Sequence, residues 1–240
     1  MKYASVNKID KHKKVWDEQW SIKQKSSSIL EKIASLFRQT LISQLVSYYV
    51  NKYFKIGVYV EAGCGTGETS VRLRKWGFTR IGLDISPEAL RRAKRQRTYN
   101  HYILGDIFNM PFKDESVDGL WNVGVMEHFN QEELSQIFHE FNRVLKSTGC
   151  CLFFWPWVLA PSHITLRLYE MAMQKFGRPK QIFPQAPSMF SKRLLPIFNE
   201  LNKTYRLAQI RFHPPWMDLT HFAIVVIKSE NTQLCKSRKN

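Results

Sequence analysis

The chain has 240 residues, of which 44% are hydrophobic and 23% are charged. This composition is typical of a folded globular protein and argues against a disordered or fibrous one. We expect a single domain, because one core can serve a chain of this length. No apolar run approaches the roughly 20 residues that a membrane-spanning helix needs. The lysine-rich start has no apolar stretch behind it, so we expect neither a transmembrane helix nor a secretory signal.

The net charge is +16, from 36 Lys and Arg against 20 Asp and Glu. Such an excess favours anionic partners in general, whether nucleic acid, acidic lipid surfaces or acidic substrates, and does not choose among them. The cysteines form no CxxC pair, which argues against a zinc site or a disulfide framework and favours a reducing, cytoplasmic location. They are Cys64, Cys150, Cys151 and Cys235.

The first 54 residues predict a helical region. Residues 1–26 are polar and basic, and Trp16 and Trp20 share a face if this segment is helical, so we predict a cap over a site. From Ser27 to Phe54, apolar residues recur every three or four positions, which predicts one or two amphipathic helices packed on a sheet. These residues are Ile29, Ile33, Leu36, Phe37, Leu41, Leu45 and Tyr48.

Short apolar runs alternate with helical segments from residue 56 to residue 155. Ser86 and Pro87 are typical of a helix start, and Asn130 to Glu133 has a capping-box pattern. This alternation predicts a parallel sheet with helices on both faces. The predicted strands are Ile56–Ala62, Thr79–Ile85, Tyr99–Leu104, Val117–Val123 and Gly149–Trp155, and the predicted helices are Glu68–Trp76, Pro87–Gln96 and one that follows Asn130 and ends at Gly149.

The pattern changes after Trp155. Residues 156–203 are rich in proline, aromatic residues and methionine, with a helix predicted over Ile164–Phe176, and we interpret them as an insertion. Two further strands are predicted, over Tyr205–Phe212 and Thr220–Ile227. The predicted organisation is therefore one domain over residues 1–230, with a helical cap over 1–55 and the insertion over 156–203, followed by a basic tail over 231–240.

The turn after the first predicted strand is rich in glycine. Parallel sheets bind ligands at the carboxyl ends of their strands, and residues 61–67 fit either a dinucleotide fingerprint or the GxGxG turn of methyltransferases. Glu68 stands where the dinucleotide pattern has its third glycine, and its carboxylate would repel a pyrophosphate. S-adenosylmethionine has no phosphate and carries two positive groups, which suit an acid such as Glu61. The turn therefore favours the methyl donor.

Two further turns carry a carboxylate each. Asp84 lies near the end of the second predicted strand, where it can accept hydrogen bonds from both ribose hydroxyls. Enzymes that bind NAD have an acid there too, so Asp84 predicts a nucleoside without naming it. Asp106 follows the third strand and can accept from the exocyclic amine of adenine, while Ile107 packs against the ring.

These motifs resemble the class I methyltransferases of the type 11 group. The resemblance covers Ile56 to Trp155 and implies S-adenosylmethionine as the cofactor, with the glycine-rich turn at its methionine part, Asp84 at the ribose and Asp106 at the adenine. It also implies an α/β, Rossmann-like doubly wound sheet of seven strands, mostly parallel with the last strand antiparallel. The motifs are Val60–Gly67, Gly82–Ser86, Gly105–Phe112, Phe112–Gly119 and Asn122–Phe129, and the predicted cofactor-binding residues are Glu61, Ala62, Gly63, Cys64, Gly65, Gly67, Asp84, Ile85, Asp106, Ile107, Asn122 and Val123.

The acceptor side is less defined, because the insertion over residues 156–203 departs from the family pattern. Glu127 and His128 follow the fourth strand and could remove a proton from an acceptor, although alignment of the two reactants alone also accelerates methyl transfer. We predict that the insertion is an acceptor-side lid. Aromatic side chains are candidates for lining an acceptor pocket, with core packing as the alternative. They are Trp16, Trp20, Trp155, Trp157, Tyr169 and Trp216.

The predicted function is methyl transfer from S-adenosylmethionine to a small-molecule acceptor of apolar or aromatic character. A first alternative is an RNA methyltransferase that uses the basic helix face from Arg91 to Arg97. A weaker alternative is a non-catalytic partner protein that binds the cofactor. The sequence predicts neither a metal site nor an oligomeric state, and it does not indicate which acceptor atom is methylated.

Overall fold

The computed structural model of the chain describes Lys14, Trp16 and residues 29–73, 77–156, 206–211 and 221–228. The described helices are α1 (Ile29–Phe37), which continues through a π-helical turn (Arg38–Ile42) into α2 (Ser43–Tyr53), α3 (Pro87–Gln96) and α4 (Gln131–Val144), with short 3-10 turns at Glu68–Ser70 and Met126–His128. The described strands are β1 (Gly57–Ala62), β2 (Phe78–Asp84), β3 (His101–Leu104), β4 (Val117–Val123), β5 (Leu145–Pro156), β6 (Arg206–Arg211) and β7 (His221–Ile227).

The strands form one sheet in the order β3-β2-β1-β4-β5-β7-β6. Strands β1 to β5 are parallel, and β7 is antiparallel to both β5 and β6. The prediction of an α/β sheet that is mostly parallel, with its last strand antiparallel, is confirmed. The order turns back between β1 and β4, so the carboxyl ends of these two strands flank the crevice where open α/β sheets bind ligands.

Two hydrophobic clusters cover the two faces of the sheet. One contains Phe138 and Phe141 of α4, and the other contains Tyr49 of α2 and Leu90 of α3. The side chains of β5 alternate between them: Cys151, Phe153 and Trp155 lie in the first cluster, and Cys150, Leu152 and Phe154 lie in the second. Helices on both faces were predicted and are confirmed. Cys150 and Cys151 are buried among these apolar side chains.

The N-terminal helices were predicted correctly, but the face that packs on the sheet was not. Leu45 is buried as expected, whereas Ile33, Leu36, Leu41 and Tyr48 are each more than 40% exposed. The π-helical turn inserts a wider turn between α1 and α2, which rotates the phase of the residues that follow it. The buried face of α2 therefore lies one position later than the sequence pattern indicated. Its apolar members, with the residue before the helix, are Ile42, Leu45, Val46, Tyr49, Val50 and Tyr53.

Helices α3 and α4 begin with the capping residues that the sequence predicted. The Ser86 hydroxyl accepts a hydrogen bond from the Ala89 N–H at 3.4 Å. Asn130 and Glu133 form a complete capping box, each side chain accepting from the backbone N–H of the other. The end of α4 was predicted wrongly, because the helix stops at Val144 and not at Gly149. Leu145 is already extended and pairs with Val117 of β4. Strand pairing therefore decides the conformation of this residue in spite of the helical pattern in the sequence.

The helix predicted over Glu68–Trp76 is wrong in its described part. A 3-10 turn covers Glu68 to Ser70, with Ser70 N–H donating to Gly67 O and Leu73 N–H to Ser70 O. The β-branched Thr69 and Val71 lower the helix propensity of this stretch. In addition, the hydroxyls of Thr69 and Ser70 are bonded to Glu61, which holds the backbone in the tighter turn.

The helices that the structure describes include none long and apolar enough to cross a membrane. The helix predicted over Ile164–Phe176 and the basic tail lie outside the described residues. The domain boundaries, the helical cap over residues 1–55 and the lid over residues 156–203 stay predictions.

Candidate functional site

The glycine-rich turn after β1 is bonded to the end of β2. The N–H groups of Gly63 and Cys64 both donate to Leu83 O, at 2.8 and 2.9 Å. Gly63, Gly65 and Gly67 have φ values of 75°, 52° and 75°, in the left-handed region that favours glycine. The turn therefore presents a bare backbone at the point where the strand order turns back.

Asp84, at the end of β2, joins the first two turns. Its Oδ2 accepts a hydrogen bond from the Gly65 N–H at 2.7 Å, and its Oδ1 accepts from the Ser86 N–H at 2.9 Å. The side chain is nearly buried, and Ile85 beside it is half-buried. A carboxylate can accept about four hydrogen bonds, so one side chain can both hold the turn and contact a ribose.

The turn after β3 is closed by Asp106. Its Oδ1 accepts from the Phe108 N–H at 3.0 Å, and the Asn109 N–H donates to its carbonyl oxygen at 3.2 Å. Ile107 is buried in the hydrophobic cluster on the α4 face. The ring of Phe108 meets the ring of Phe129 edge to face, with centroids 5.4 Å apart, so this turn contacts the segment that follows β4.

The turn after β4 lies directly against the glycine-rich turn. A Cβ built on Gly63 would lie 2.8 Å from Cγ2 of Val125, so the two turns approach as closely as a glycine allows. Asn122 is buried at the end of β4, and its Nδ2 has no hydrogen-bond partner among the described residues. Val123 packs against the cluster that contains Tyr49. The predicted cofactor residues of β1, β2 and β4 are thus brought to one edge of the sheet.

Gly63→Ala is expected to lower affinity for S-adenosylhomocysteine roughly tenfold, because a distortion of about 1.4 kcal/mol has that effect. The left-handed φ alone costs an alanine about 1–2 kcal/mol, and the new methyl group would press on Val125. Calorimetric titration and thermal unfolding measure the two effects. Gly77→Ala is the matched control, since Gly77 has φ 73° and a similar close contact with Ile56, away from the site. Equal ligand affinity in both variants would contradict the expectation.

Glu127 and His128 lie in the 3-10 turn after β4, beside Trp16. Oε1 of Glu127 is 4.0 Å from Nε2 of His128, and Trp16 meets the His128 ring edge to face with centroids 4.9 Å apart. Glu127 is 8% exposed, and its Oε2 has no partner in the part of the chain that the structure describes. Burial raises the pKa of Glu127 from 4.5 to about 8. The carboxyl group is therefore poised to exchange a proton near neutral pH.

The structure does not support our electrostatic argument for the methyl donor. Glu68, which was expected to repel a pyrophosphate, is bonded to the N-terminal helices: Ser35 Oγ donates to Oε1 at 2.7 Å and Arg38 Nε to Oε2 at 2.6 Å. Burial acts to raise the pKa of Glu68, but Arg38 and Ser35 outweigh it and lower the pKa. Glu61, which was expected to face a positive ligand, is 1% exposed and bonded to Thr69, Ser70 and Tyr99.

Two other predicted residues are buried. Ala62 is fully buried at the end of β1. Cys64 is also buried; burial, followed by the charges of Asp84 and Glu61, raises the pKa of its thiol well above the ordinary value. The thiol stays protonated and packs as an apolar group, which argues against a nucleophilic cysteine.

Two of the aromatic candidates for the acceptor pocket, Trp16 and Trp155, are among the described residues. Trp16 lies beside His128, as described above, while Trp155 is 2% exposed within the hydrophobic core on the α4 face. The indole N–H of Trp155 has no hydrogen-bond partner within the described ranges. Trp20, Trp157, Tyr169 and Trp216 lie outside the described residues, so their role in the pocket stays a prediction.

Sequence reasoning missed the residues that hold the glycine-rich turn from behind. Tyr99 and Trp121 reach it from the segment before β3 and from β4, and Arg38 reaches Glu68 from the π-helical turn. No local pattern marks these residues, because each acts on a partner at least 30 positions away in sequence.

The basic face of α3 is largely exposed. Arg91, Lys94, Arg95 and Arg97 are open to solvent, and Arg91 and Arg92 pair with Glu88 of the same helix. These pairs lower the charge that the helix presents to an anion. The RNA alternative stays a prediction.

Comparison with known proteins finds relatives of the region around these turns. Residues 60–153 match the family model of a methyltransferase domain. The chain is 34% identical over 94 residues to a malonyl-[acyl-carrier protein] O-methyltransferase of Hamiltonella defensa, covering 39% of this chain and 36% of that protein. It is 30% identical over 135 residues to a demethylmenaquinone methyltransferase of Chlorobaculum tepidum, covering 55% and 52%. The chain thus spans between a third and about half of the length of these curated relatives.

Solved structures share the fold at low sequence identity. Magnesium protoporphyrin IX methyltransferase of Synechocystis, with bound S-adenosylhomocysteine, matches with a TM-score of 0.60 at 16% identity, covering 93% of this chain and 99% of that chain. A putative S-adenosylmethionine-dependent methyltransferase of Methanococcus maripaludis matches with a TM-score of 0.59 at 18% identity, covering 84% and 93%.

Proposed function

We propose that this chain carries a class I, S-adenosylmethionine-dependent methyltransferase domain of the type 11 group and transfers a methyl group to a small molecule with an apolar or aromatic body. The observation that carries the proposal is the juxtaposition of four turns at the crevice between β1 and β4. Asp84 bonds to Gly65, Val125 packs on Gly63, and Phe108 contacts Phe129.

The residues at the crevice fit S-adenosylmethionine. Asp84 offers carboxylate oxygens for the ribose, and the bare backbone from Gly63 to Gly67 leaves room for the methionine part. Asn122 adds a buried amide N–H that lacks a partner among the described residues and can donate to the methionine carboxylate. The donor supplies an electrophilic methyl group on a sulfonium. Asp106 is proposed at the adenine, whereas Glu61, Ala62 and Cys64 are buried and support the turn without facing the donor.

Glu127 is proposed as the base on the acceptor side. Its carboxyl group is buried, and in the ionised form its Oε2 can take a proton from an acceptor hydroxyl or amine. His128 lies next to it and is packed against Trp16, and the proposal puts these two rings at one wall of the acceptor site. Exclusion of water by these side chains strengthens the interactions of the buried carboxyl group.

An aromatic wall supports an acceptor with an apolar body, because small-molecule sites are lined mainly by apolar and aromatic side chains. The matched relatives are named for malonyl-[acyl-carrier protein] and demethylmenaquinone, two different acceptors. The names therefore support small or carrier-linked acceptors as a class and do not select one for this chain.

Two measurements test the proposal together. Calorimetric titration with S-adenosylhomocysteine is expected to show saturable binding, and labelled methyl groups are expected in the small-molecule fraction of a cell extract incubated with the full chain and the labelled donor. Absence of binding would overturn the methyl-donor half. Label found only in RNA would favour the RNA alternative, and binding without any transfer would favour a non-catalytic protein. The control is the same chain with Asp84→Asn.

A further inference from the structure

A buried cluster of hydrogen bonds lies behind the glycine-rich turn. Both carboxylate oxygens of Glu61 are engaged: Thr69 Oγ1 donates to Oε1 at 3.0 Å, and Ser70 Oγ and the Tyr99 hydroxyl donate to Oε2 at 2.5 Å each. The indole N–H of Trp121 donates to Ser70 Oγ at 3.2 Å. The cluster therefore joins β1, the 3-10 turn at Glu68–Ser70, the segment before β3, and β4.

The ring of Tyr99 fills space that a side chain would otherwise need. A Cβ on Gly82 would lie 2.7 Å from Cδ2 of Tyr99, and a Cβ on Gly67 would lie 3.1 Å from its Cε2. Tyr99 is buried, and its N–H donates to the hydroxyl of Tyr102 at 3.1 Å. The ring is thus held between β2 and the last glycine of the turn, with its hydroxyl directed at Glu61.

The turn needs such support because glycine has little conformational preference of its own. Gly63, Gly65 and Gly67 must all stay at positive φ for their backbone to face a ligand, and each can leave that region at low cost. Contacts from outside the turn therefore fix its shape. Those from Tyr99 act at both ends, through Glu61 before the turn and against Gly67 at its end.

We propose that Tyr99 is a positioning residue for the methyl donor, which holds residues 63–67 in the binding conformation through its hydrogen bond to Glu61 and its packing on Gly67. This inference rests on the proposed function, since the ligand of the turn is S-adenosylmethionine. Tyr99 acts on the turn from behind and does not touch the donor in this role.

The protonation of Glu61 is expected to make the affinity for the methyl donor depend on pH. Burial raises the pKa of Glu61 to about 7, while the hydrogen bonds from Ser70, Tyr99 and Thr69 act to lower it. The other titratable groups that face the cluster are the Cys64 thiol and Asp84, and Cys64 stays protonated. Ionised Glu61 accepts from all three hydroxyls, whereas the protonated form loses part of that capacity. Donor affinity is therefore expected to fall as the pH falls through about 7.

Tyr99→Phe tests the inference by calorimetric titration with S-adenosylhomocysteine between pH 6 and pH 9. The variant keeps the ring and removes one hydrogen bond to the carboxylate, so affinity at pH 7 is expected to fall roughly tenfold. Because the lost hydrogen bond also lowered the pKa of Glu61, the midpoint of the pH profile is expected to move upward. Glu61→Gln should remove the pH dependence.

Tyr59→Phe is the matched control. Tyr59 is a buried tyrosine whose hydroxyl accepts from the Lys55 N–H at 2.9 Å, at the opposite end of β1. A Tyr99→Phe profile equal to that of Tyr59→Phe would overturn the inference while leaving the proposed function intact. Failure of the unsubstituted chain to bind S-adenosylhomocysteine would instead overturn the proposed function. Far-ultraviolet circular dichroism of each variant confirms that it is folded before titration.

Discussion

Replacing Asp84 by asparagine is expected to weaken binding of S-adenosylhomocysteine by about 100-fold or more. The two carboxylate oxygens accept from Gly65 and Ser86 N–H groups, and hydrogen bonds to a charged group contribute about 1.5–3 kcal/mol each. The asparagine amide has one acceptor atom, so its NH₂ group must face a backbone N–H at one of the two positions. A loss of about 2.7 kcal/mol corresponds to 100-fold in the dissociation constant.

Calorimetric titration of Asp84→Asn measures this loss, with thermal unfolding as the check on folding. Asp114→Asn is the matched control, because Asp114 is a solvent-exposed carboxylate that pairs with Arg143 outside the crevice. We expect Asp114→Asn to bind as the unsubstituted chain does. If folded Asp84→Asn kept its affinity, the assignment of the donor to this edge of the sheet would be wrong.

Replacing Glu127 by glutamine is expected to lower the rate of methyl transfer by roughly 10²–10⁴-fold, the usual contribution of a positioned base. The base must be ionised to take a proton, and burial raises the pKa of Glu127 to about 8. The rate of the unsubstituted chain should therefore rise with pH through about 8, and this rise should be absent in Glu127→Gln. Label transfer to the small-molecule fraction, followed from pH 6 to pH 9, measures both effects.

Glu127→Gln is also expected to change the pH dependence of protein stability, which can be measured without an acceptor. A carboxyl group whose pKa is raised on folding contributes stability that is complete below pH 4.5 and is lost as the pH rises to about 8. Glu127→Gln should remove that part of the pH dependence of thermal unfolding. Glu132→Gln, at an exposed position in the first turn of α4, is the control and should change neither profile. An unchanged rate in Glu127→Gln would leave alignment alone as the source of acceleration.

Much of the fold could be predicted because its signals are local. Pro87–Gln96 and Val117–Val123 have the predicted boundaries, since a capped helix start and a short apolar run are decided by neighbouring residues. The end of α4 could not be predicted, because Leu145 becomes a strand residue through pairing with Val117, a partner 28 positions earlier. The buried face of α2 was missed for a different reason: a π-helical turn shifts the phase, and its sequence, Arg38 to Ile42, carries no signal of it.

The candidate site shows the same division. The turns that carry Gly63, Asp84 and Asp106 are visible in the sequence, because each follows an apolar strand directly. The partners of the two glutamates were not visible: Glu61 binds Tyr99, and Glu68 binds Arg38. From charge alone, Glu61 was expected to face the positive groups of the methyl donor and Glu68 to repel a pyrophosphate, whereas the folded chain engages both carboxylates with its own side chains.

The contact between Gly63 and Val125 also bears on how the two substrates influence each other. Gly63 belongs to the turn assigned to the methyl donor, and Val125 lies two residues before Glu127 in the turn assigned to the acceptor. Any shift of one backbone on ligand binding is therefore transmitted to the other by direct packing. Thermodynamic linkage requires the effect to be reciprocal, so that whichever substrate arrives first changes the affinity for the second by the same factor.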